Sequence, residues 1–289
     1  MKANTEFTNM HIQFWGYVRL LSEKLGYSKR GADSINYYCL EDAKKILNTL
    51  NISHDLDTLE LVIKYMNYRA DLLNNHVKHL LMDKEQAALE FEKVKSIYDQ
   101  ENFSCKITKN KQKNEKATYS FFTGIINILA EKEFRAICKE RNLSYGHDLY
   151  FDDDPTNLTT ILDENDKIIF TLSRRFDGAY PTTRNPKAIW EIKEYYNTTT
   201  FGSRVADGVY ETQLDGYELG IVENVLNSNS SLPKSIQHFY FVDDKFTWWT
   251  KGKSYLCRII DMLHMGLVDN VMFGREVLTE WPKLIRSFC

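Results

Sequence analysis

The stretch that most constrains this chain is residues 168–196, IIFTLSRRFDGAYPTTRNPKAIWEIKEYY. Two apolar, β-prone runs, 168–176 and 188–196, flank TTRNP, a segment of turn-forming residues. The pattern predicts a β-hairpin or two adjacent strands, the first leading into Asp177. Side chains alternate along a strand, so Glu191 and Lys193 point the same way, roughly 6–7 Å apart at ~3.3 Å per residue. Trp190 and Ile192 point the other way, into apolar packing. With Asp177 ending the neighbouring strand, one sheet edge presents two carboxylates and an ammonium. Such a group binds a hard divalent cation through oxygen, and its lysine can orient or deprotonate an attacking water. A solvated strand face with an ordinary Glu–Lys pair is the competing reading. The acid-x-Lys triplet occurs three times, at Asp42–Lys44, Glu191–Lys193 and Asp243–Lys245. Only the middle one lies in an apolar strand that follows another carrying an aspartate.

A chain of 289 residues with 43% hydrophobic and 13% aromatic content is globular and long enough for one large or two modest domains. A net charge of -3 excludes a globally basic nucleic-acid binder but not a local basic face. Five scattered cysteines without a CxxC pair argue against a zinc knuckle or a disulfide framework and for reduced thiols in the cytoplasm. The first residues lack the apolar core of a signal peptide, and no apolar run approaches the ~20 residues of a membrane span.

Residues 1–103 read as helical, with Phe14, Val18, Leu21 and Leu25 at helical spacing. Lys29, Arg30, Tyr37 and Tyr38 form a candidate DNA-facing cluster there, against a bundle that only packs. Residues 104–116, SCKITKNKQKNEK, are a basic loop or linker and the expected domain boundary. Its lysines, Lys106, Lys109, Lys111, Lys113 and Lys116, are candidates for phosphate contact or plain solvated surface. Residues 117–289 form the expected catalytic domain. It opens with an amphipathic helix over 119–141, where Phe122, Ile126, Leu129 and Ile137 make a stripe. At about 100° per residue Glu133 falls inside that stripe and Glu131 nearly opposite, so Glu133 is expected inside, in a buried salt bridge or at a metal. Residues 142–166 read as a solvated loop, despite DDDP at 152–155. A helix over 204–225 follows, beginning at Arg204 and carrying Gln213 and Tyr217 one turn apart. Strands are expected at 238–242 and 246–249, and helices at 255–267 and from 277.

The order of a helix with Glu133, a strand ending at Asp177, a strand with Glu191-Ile192-Lys193, a helix with Gln213-x-x-x-Tyr217 and a further strand resembles the PD-(D/E)xK nuclease superfamily, most of all type II restriction endonucleases. The Gln-x-x-x-Tyr pair is similar to the RecB-type branch. The match covers about residues 117–250, with Phe176 where the motif has Pro. The resemblance implies an α+β or α/β fold, a mixed-sheet αβββαβ core flanked by helices beside the N-terminal helical module. It implies magnesium-dependent hydrolysis of double-stranded DNA. Asp177, Glu191 and the Ile192 carbonyl would hold Mg2+, Lys193 would act on the attacking water, and Glu133 would be the helix acid. Gln213 and Tyr217 would support the site. Lys29, Arg30, Lys106, Lys109, Lys111, Lys113 and Arg204 are the candidate DNA contacts. A homodimer is admitted and a membrane partner is not. A RecB-like or resolvase-like nuclease, and a non-catalytic DNA-binding protein, are the alternatives.

Overall fold

The computed structural model describes residues 1–110, 118–196, 202–227 and 235–289. Three helices come first: α1 (Ile12–Leu25), α2 (Leu40–Thr49) and α3 (Leu56–Leu72). Asp55 caps α3, its carboxylate accepting from the Thr58 amide at 2.8 Å. A π-helical turn, Leu73–Val77, leads into α4 (Lys78–Leu80), and α5 (Lys84–Gln100) follows behind a capping box of Asp83 and Gln86. Next come α6 (Phe121–Arg141), β1 (Thr160–Leu162), β2 (Ile168–Thr171), β3 (Gly178–Tyr180) and β4 (Ala188–Glu194). The chain continues through α7 (Ser203–Asn227), β5 (Gln237–Asp243), a π-helical segment Lys245–Lys251, α8 (Lys253–His264), β6 (Asn270–Phe273) and α9 (Val277–Phe288).

The fold is mixed α+β with a small, open, mixed sheet in the order β3-β4-β5-β6. β3 is antiparallel to β4, whereas β4, β5 and β6 are parallel, with α7 and α8 as the crossovers. Parallel strands need helices on their faces. Trp190, Ile192, Phe239 and Phe241 bury one face beneath Phe122 and Phe134 of α6 and Trp281 of α9. Tyr240, Val242, Val271 and Phe273 bury the other with Val209 of α7, Ile260 of α8 and Ala70 of α3. Both outer edges are occupied by irregular chain. Val271 donates to the Met1 carbonyl at 3.0 Å, and Asp152 and Ala179 exchange backbone hydrogen bonds of 2.9 and 3.0 Å.

The expected hairpin takes another form. Ser173, Arg174 and Arg175 break the first apolar run, and β2 pairs with β1 in a separate two-stranded sheet, Thr160 opposite Thr171. β4 pairs instead with β3, Gly178 opposite Trp190. A Cβ on Gly178 would lie 2.0 Å from the Trp190 ring, so this register requires glycine. Asp177 therefore precedes a strand and does not end one. Residues 142–166, expected as loop, contribute β1, and β6 was not foreseen. Residues 246–249, expected as a strand, lie in the π-helical segment, where the Asp244 carboxylate accepts from the Phe246 and Thr247 amides at 3.1 and 2.9 Å. α5, assigned from sequence to the N-terminal module, buries Ala87, Phe91 and Val94 in the same core as α6.

Candidate active site

β3 begins at Gly178, so the edge of β4 beyond Trp190 has no strand beside it. Asp177 takes that place. Its amide donates to the Trp190 carbonyl at 3.0 Å, and its Oδ2 accepts from the Ile192 amide at 2.8 Å. The N–H and C=O of a strand residue face the same neighbour, so the Ile192 carbonyl opens onto this edge as well.

Glu191 and Lys193 share one face of β4, the face covered by α7. Glu191 is buried, with Oε1 2.5 Å from the Lys193 Nζ and Oε2 2.7 Å from Nη2 of Arg174. Arg174 also reaches Asp215 of α7, Nε to Oδ1 at 3.0 Å, and stands 3.9 Å from Glu211. Lys193 lies 3.3 Å from that same Glu211 oxygen. Burial, and then the nearby Asp177 charge, push the Glu191 carboxyl up to about 8 against the pull of the two cations. Burial alone would depress the Lys193 ammonium, but Glu191 together with Tyr240, Tyr195 and Asp177 outweighs it and holds the lysine above its usual range. Asp215 is pushed up to about 6, again by burial first.

On the other face of β4, Glu194 meets the N-terminus of α6. It accepts from the Phe122 amide at 2.8 Å and the Thr123 hydroxyl at 3.1 Å, where a carboxylate satisfies orphan donors and the helix dipole. Burial nevertheless pushes it up to about 7.

Asp177, Glu191, Ile192, Lys193 and Glu194 line a cleft of about 290 Å³ that also contains Asp153, Asp154 and Arg204, with Arg174, Glu211 and Asp215 behind Glu191 and Lys193. Arg204 thus lines the same cleft as Glu191 and Lys193. Lys106 pairs with Asp154 through its ammonium and with Asp153 through its amide. Lys109 is exposed at one foot of the basic loop, whose ends are joined by the Asn110–Thr118 and Ser120–Thr108 backbone bonds of 2.8 and 2.9 Å. Thr108, Asn110 and Ser120 line the cleft, so the loop departs from and returns to its rim. Lys111, Lys113 and Lys116 lie outside the described residues.

Other expected members are elsewhere. Glu133 pairs with Arg286 of α9 and does not line the cleft. Glu131 is the buried acid, accepting from the Ser104 amide at 2.8 Å, the Cys105 amide at 2.5 Å and Arg135 Nε at 2.8 Å. The stripe argument missed this because α6 is enclosed on nearly all sides between Gly124 and Glu131. Gln213 and Tyr217 bond each other at 3.3 Å, and Gln213 lines a different cleft, with Arg19, Tyr27 and Arg258. α7 turns Glu211 and Asp215 to the site instead, because Gly208, Thr212 and Gly216 form its packed face. Lys29 and Arg30 are exposed in the N-terminal segment, and Tyr37 is exposed too, but Tyr38 is buried with its hydroxyl on the Gly26 carbonyl at 2.9 Å. Arg174, Glu194, Glu211 and Asp215 were missed. The signals were there: a paired arginine before Phe176-Asp177, and two acids one turn apart beside a glycine.

Residues 82–288 match a family model described as a domain of unknown function (DUF7687). The chain belongs to that family. Residues 1–76 match a second domain of unknown function (DUF7690). The two matches meet between α3 and α5, earlier than the 104–116 boundary read from sequence. The DUF7687 segment contains every residue of the cleft. No curated protein and no solved structure matches the chain.

The oxygens at this DUF7687 edge are two carboxylates and one strand carbonyl. Among the described residues no three His, Cys, Asp or Glu side chains form a group able to hold a metal ion. An ion here would therefore take Asp177, Glu191 and the Ile192 carbonyl and keep several waters, the habit of Mg2+.

Proposed function

We propose that this protein is a magnesium-dependent endonuclease that hydrolyses phosphodiester bonds of double-stranded DNA, with a restriction-endonuclease-like core. The observation that carries the reading is the convergence of Asp177, Glu191 and Lys193 at one open strand edge, in a cleft with Arg204 and the feet of a lysine-rich loop on its rim. β3 antiparallel and β5 parallel to β4, with α6 before them and α7 as the crossover, support it, while β1 and β2 form a sheet of their own outside the expected αβββαβ order. Mg2+ would neutralise charge that develops on the phosphate and lower the pKa of water. Lys193 orients the water and adds a second positive charge. Arg204 and the loop lysines hold flanking phosphates. Five free thiols support a cytoplasmic setting, and no helix among the described residues is long and apolar enough to cross a membrane.

One observation favours a second reading: both Glu191 oxygens already face cations, which also suits a structural ion cluster in a non-catalytic DNA-binding protein. Plasmid DNA incubated with Mg2+ or EDTA separates these. Discrete fragments with Mg2+ support a restriction enzyme, and smears or end degradation a RecB-like or resolvase-like nuclease. Glu191→Gln should lower cleavage about 10²–10³-fold while DNA binding survives. Wild-type cutting by that variant would refute the site.

A further inference from the structure

We propose that Arg174 is the resident cation of the metal site: it holds Glu191 when no ion is bound, and shifts onto Asp215 and Glu211 to release that carboxylate when one binds. This rests on the metal-site reading above and adds a residue to which that reading gives no part.

The charge balance comes first. Four carboxylates, Asp177, Glu191, Glu211 and Asp215, face two cations, Arg174 and Lys193. The carboxylates outnumber the cations, so the cluster favours an added positive charge. Geometry then shows what stands in that ion's way. Glu191 would be a ligand, yet its Oε1 is taken by Lys193 and its Oε2 by Arg174. Each oxygen keeps a second lone pair, but a cation within 2.7 Å of either one repels an approaching dication, so Glu191 coordinates best once one of the two has moved off.

Lys193 is the less free to move. Its side chain runs against α7 where Gly208 has no Cβ; an added Cβ would sit 3.0 Å from Cε and 3.1 Å from Cδ. Arg174 sits on the irregular chain between β2 and β3, its guanidinium 5.5 Å from the Phe176 ring centroid. Its contact with Glu191 is close but badly aligned: Nη2 and Oε2 are both buried, 2.7 Å apart, and neither makes a hydrogen bond. On its other side, Nε donates an aligned hydrogen bond to Asp215 at 3.1 Å, with Glu211 beyond at 3.9 Å. A guanidinium keeps its charge at any physiological pH, so it cannot vacate Glu191 by losing a proton. It can do so only by turning onto partners already in place. Arg174 is thus a positioning residue, acting on the ion through Glu191.

The test is calorimetric titration of Mg2+ into DNA-free protein: wild type, Arg174→Gln, Asp215→Asn and the double variant. Arg174→Gln should tighten Mg2+ binding about tenfold, at the lower end of the usual 10–100-fold effect of residues behind a ligand. Asp215→Asn should weaken binding by a similar factor in the wild-type background, since it removes the partner that receives Arg174. In the Arg174→Gln background it should change affinity less than about twofold, because there is then no arginine to receive. Arg174→Lys keeps the charge but cannot span both carboxylates; it should tighten binding too, which covers misfolding of the glutamine variant. Equal affinity in wild type and both Arg174 variants overturns the proposal, as does an Asp215→Asn effect of equal size in both backgrounds. If those results accompany loss of cleavage in Glu191→Gln, the nuclease reading stands and only the part given to Arg174 fails. Mg2+ binding by none of the proteins overturns both.

Discussion

Asp243 shows how one residue ties stability to pH. It is fully buried at the end of β5, its Oδ1 accepting from the Met82 amide at 2.8 Å and its Oδ2 from the Tyr196 hydroxyl. Burial dominates and raises its carboxyl from the ordinary 3.8 to about 8. The folded protein then holds a proton that the unfolded chain releases, so this stabilisation is full below about 4 and is lost as pH rises toward about 8. Asp243→Asn keeps an oxygen for Met82 and cannot ionise. In urea melts at about pH 5 and about pH 9, the variant should lose less stability between the two than wild type; equal losses would count against the assignment. Glu131 makes the complementary case. Glu131→Ala strands the buried Cys105 amide and removes the partner of the Ser104 amide and Arg135, and should cost about 1–3 kcal/mol. Glu133→Ala breaks only its pair with the half-exposed Arg286 and should cost much less. A ranking in the opposite order would restore the placement expected from sequence.

At the scale of elements, α7 and the sheet decide the site, and two glycines on α7 separate stability from activity. Gly208→Ala places a methyl 3.0 Å from the Lys193 Cε and the Tyr195 hydroxyl, groups at the ends of side chains that can yield. Alanine also favours a helix by about 1 kcal/mol, so folding should change little while cleavage falls as Lys193 is displaced. Gly216→Ala places its methyl 2.4 Å from the Leu267 carbonyl and 2.8 Å from its Cα, which are backbone, and should destabilise by about 1–3 kcal/mol. Thermal melts beside cleavage rates check the pair. These contacts explain what was legible in the sequence. Alternation along 188–194 placed Glu191 and Lys193 on one face and Trp190 and Ile192 on the other, because period 2 is local. The pairing of β3 with β4 was not legible, since it depends on a ring passing over Gly178. The site-facing residues of α7 were mistaken for the same kind of reason: both sides of that helix are rich in apolar residues, and only packing against Leu267 and Lys193 sets its rotation. The basic segment was read as a loop or linker; its two feet pair beside the cleft, and its three inner lysines lie outside the described residues.

At the scale of the whole molecule, the two family segments share their interior. Arg69 of α3 is fully buried, with Nη1 2.8 Å from both Asp261 oxygens of α8, and Tyr65 donates to Asp261 at 2.7 Å. Ala70, Leu73 and Val77 lie in the same core as Ile260 and Leu263. The chain should therefore melt in one step, and Arg69→Ala, which leaves Asp261 buried without its cation, should lower stability by about 3–5 kcal/mol. A fragment of residues 82–289 that melts at the full-length temperature would show that the segments fold independently. The covered borders of the sheet carry a different consequence. Residue 1 bonds along the outside of β6, and residue 152 along the outside of β3, so those two borders of the four-stranded sheet are closed to an added strand, whereas β2 of the small sheet pairs on one side only among the described residues. Growth by strand addition is thus directed to β2, which begins at the exposed Ile168. Association between copies there can be tuned or abolished by a single surface substitution on β2 without touching the four-stranded sheet.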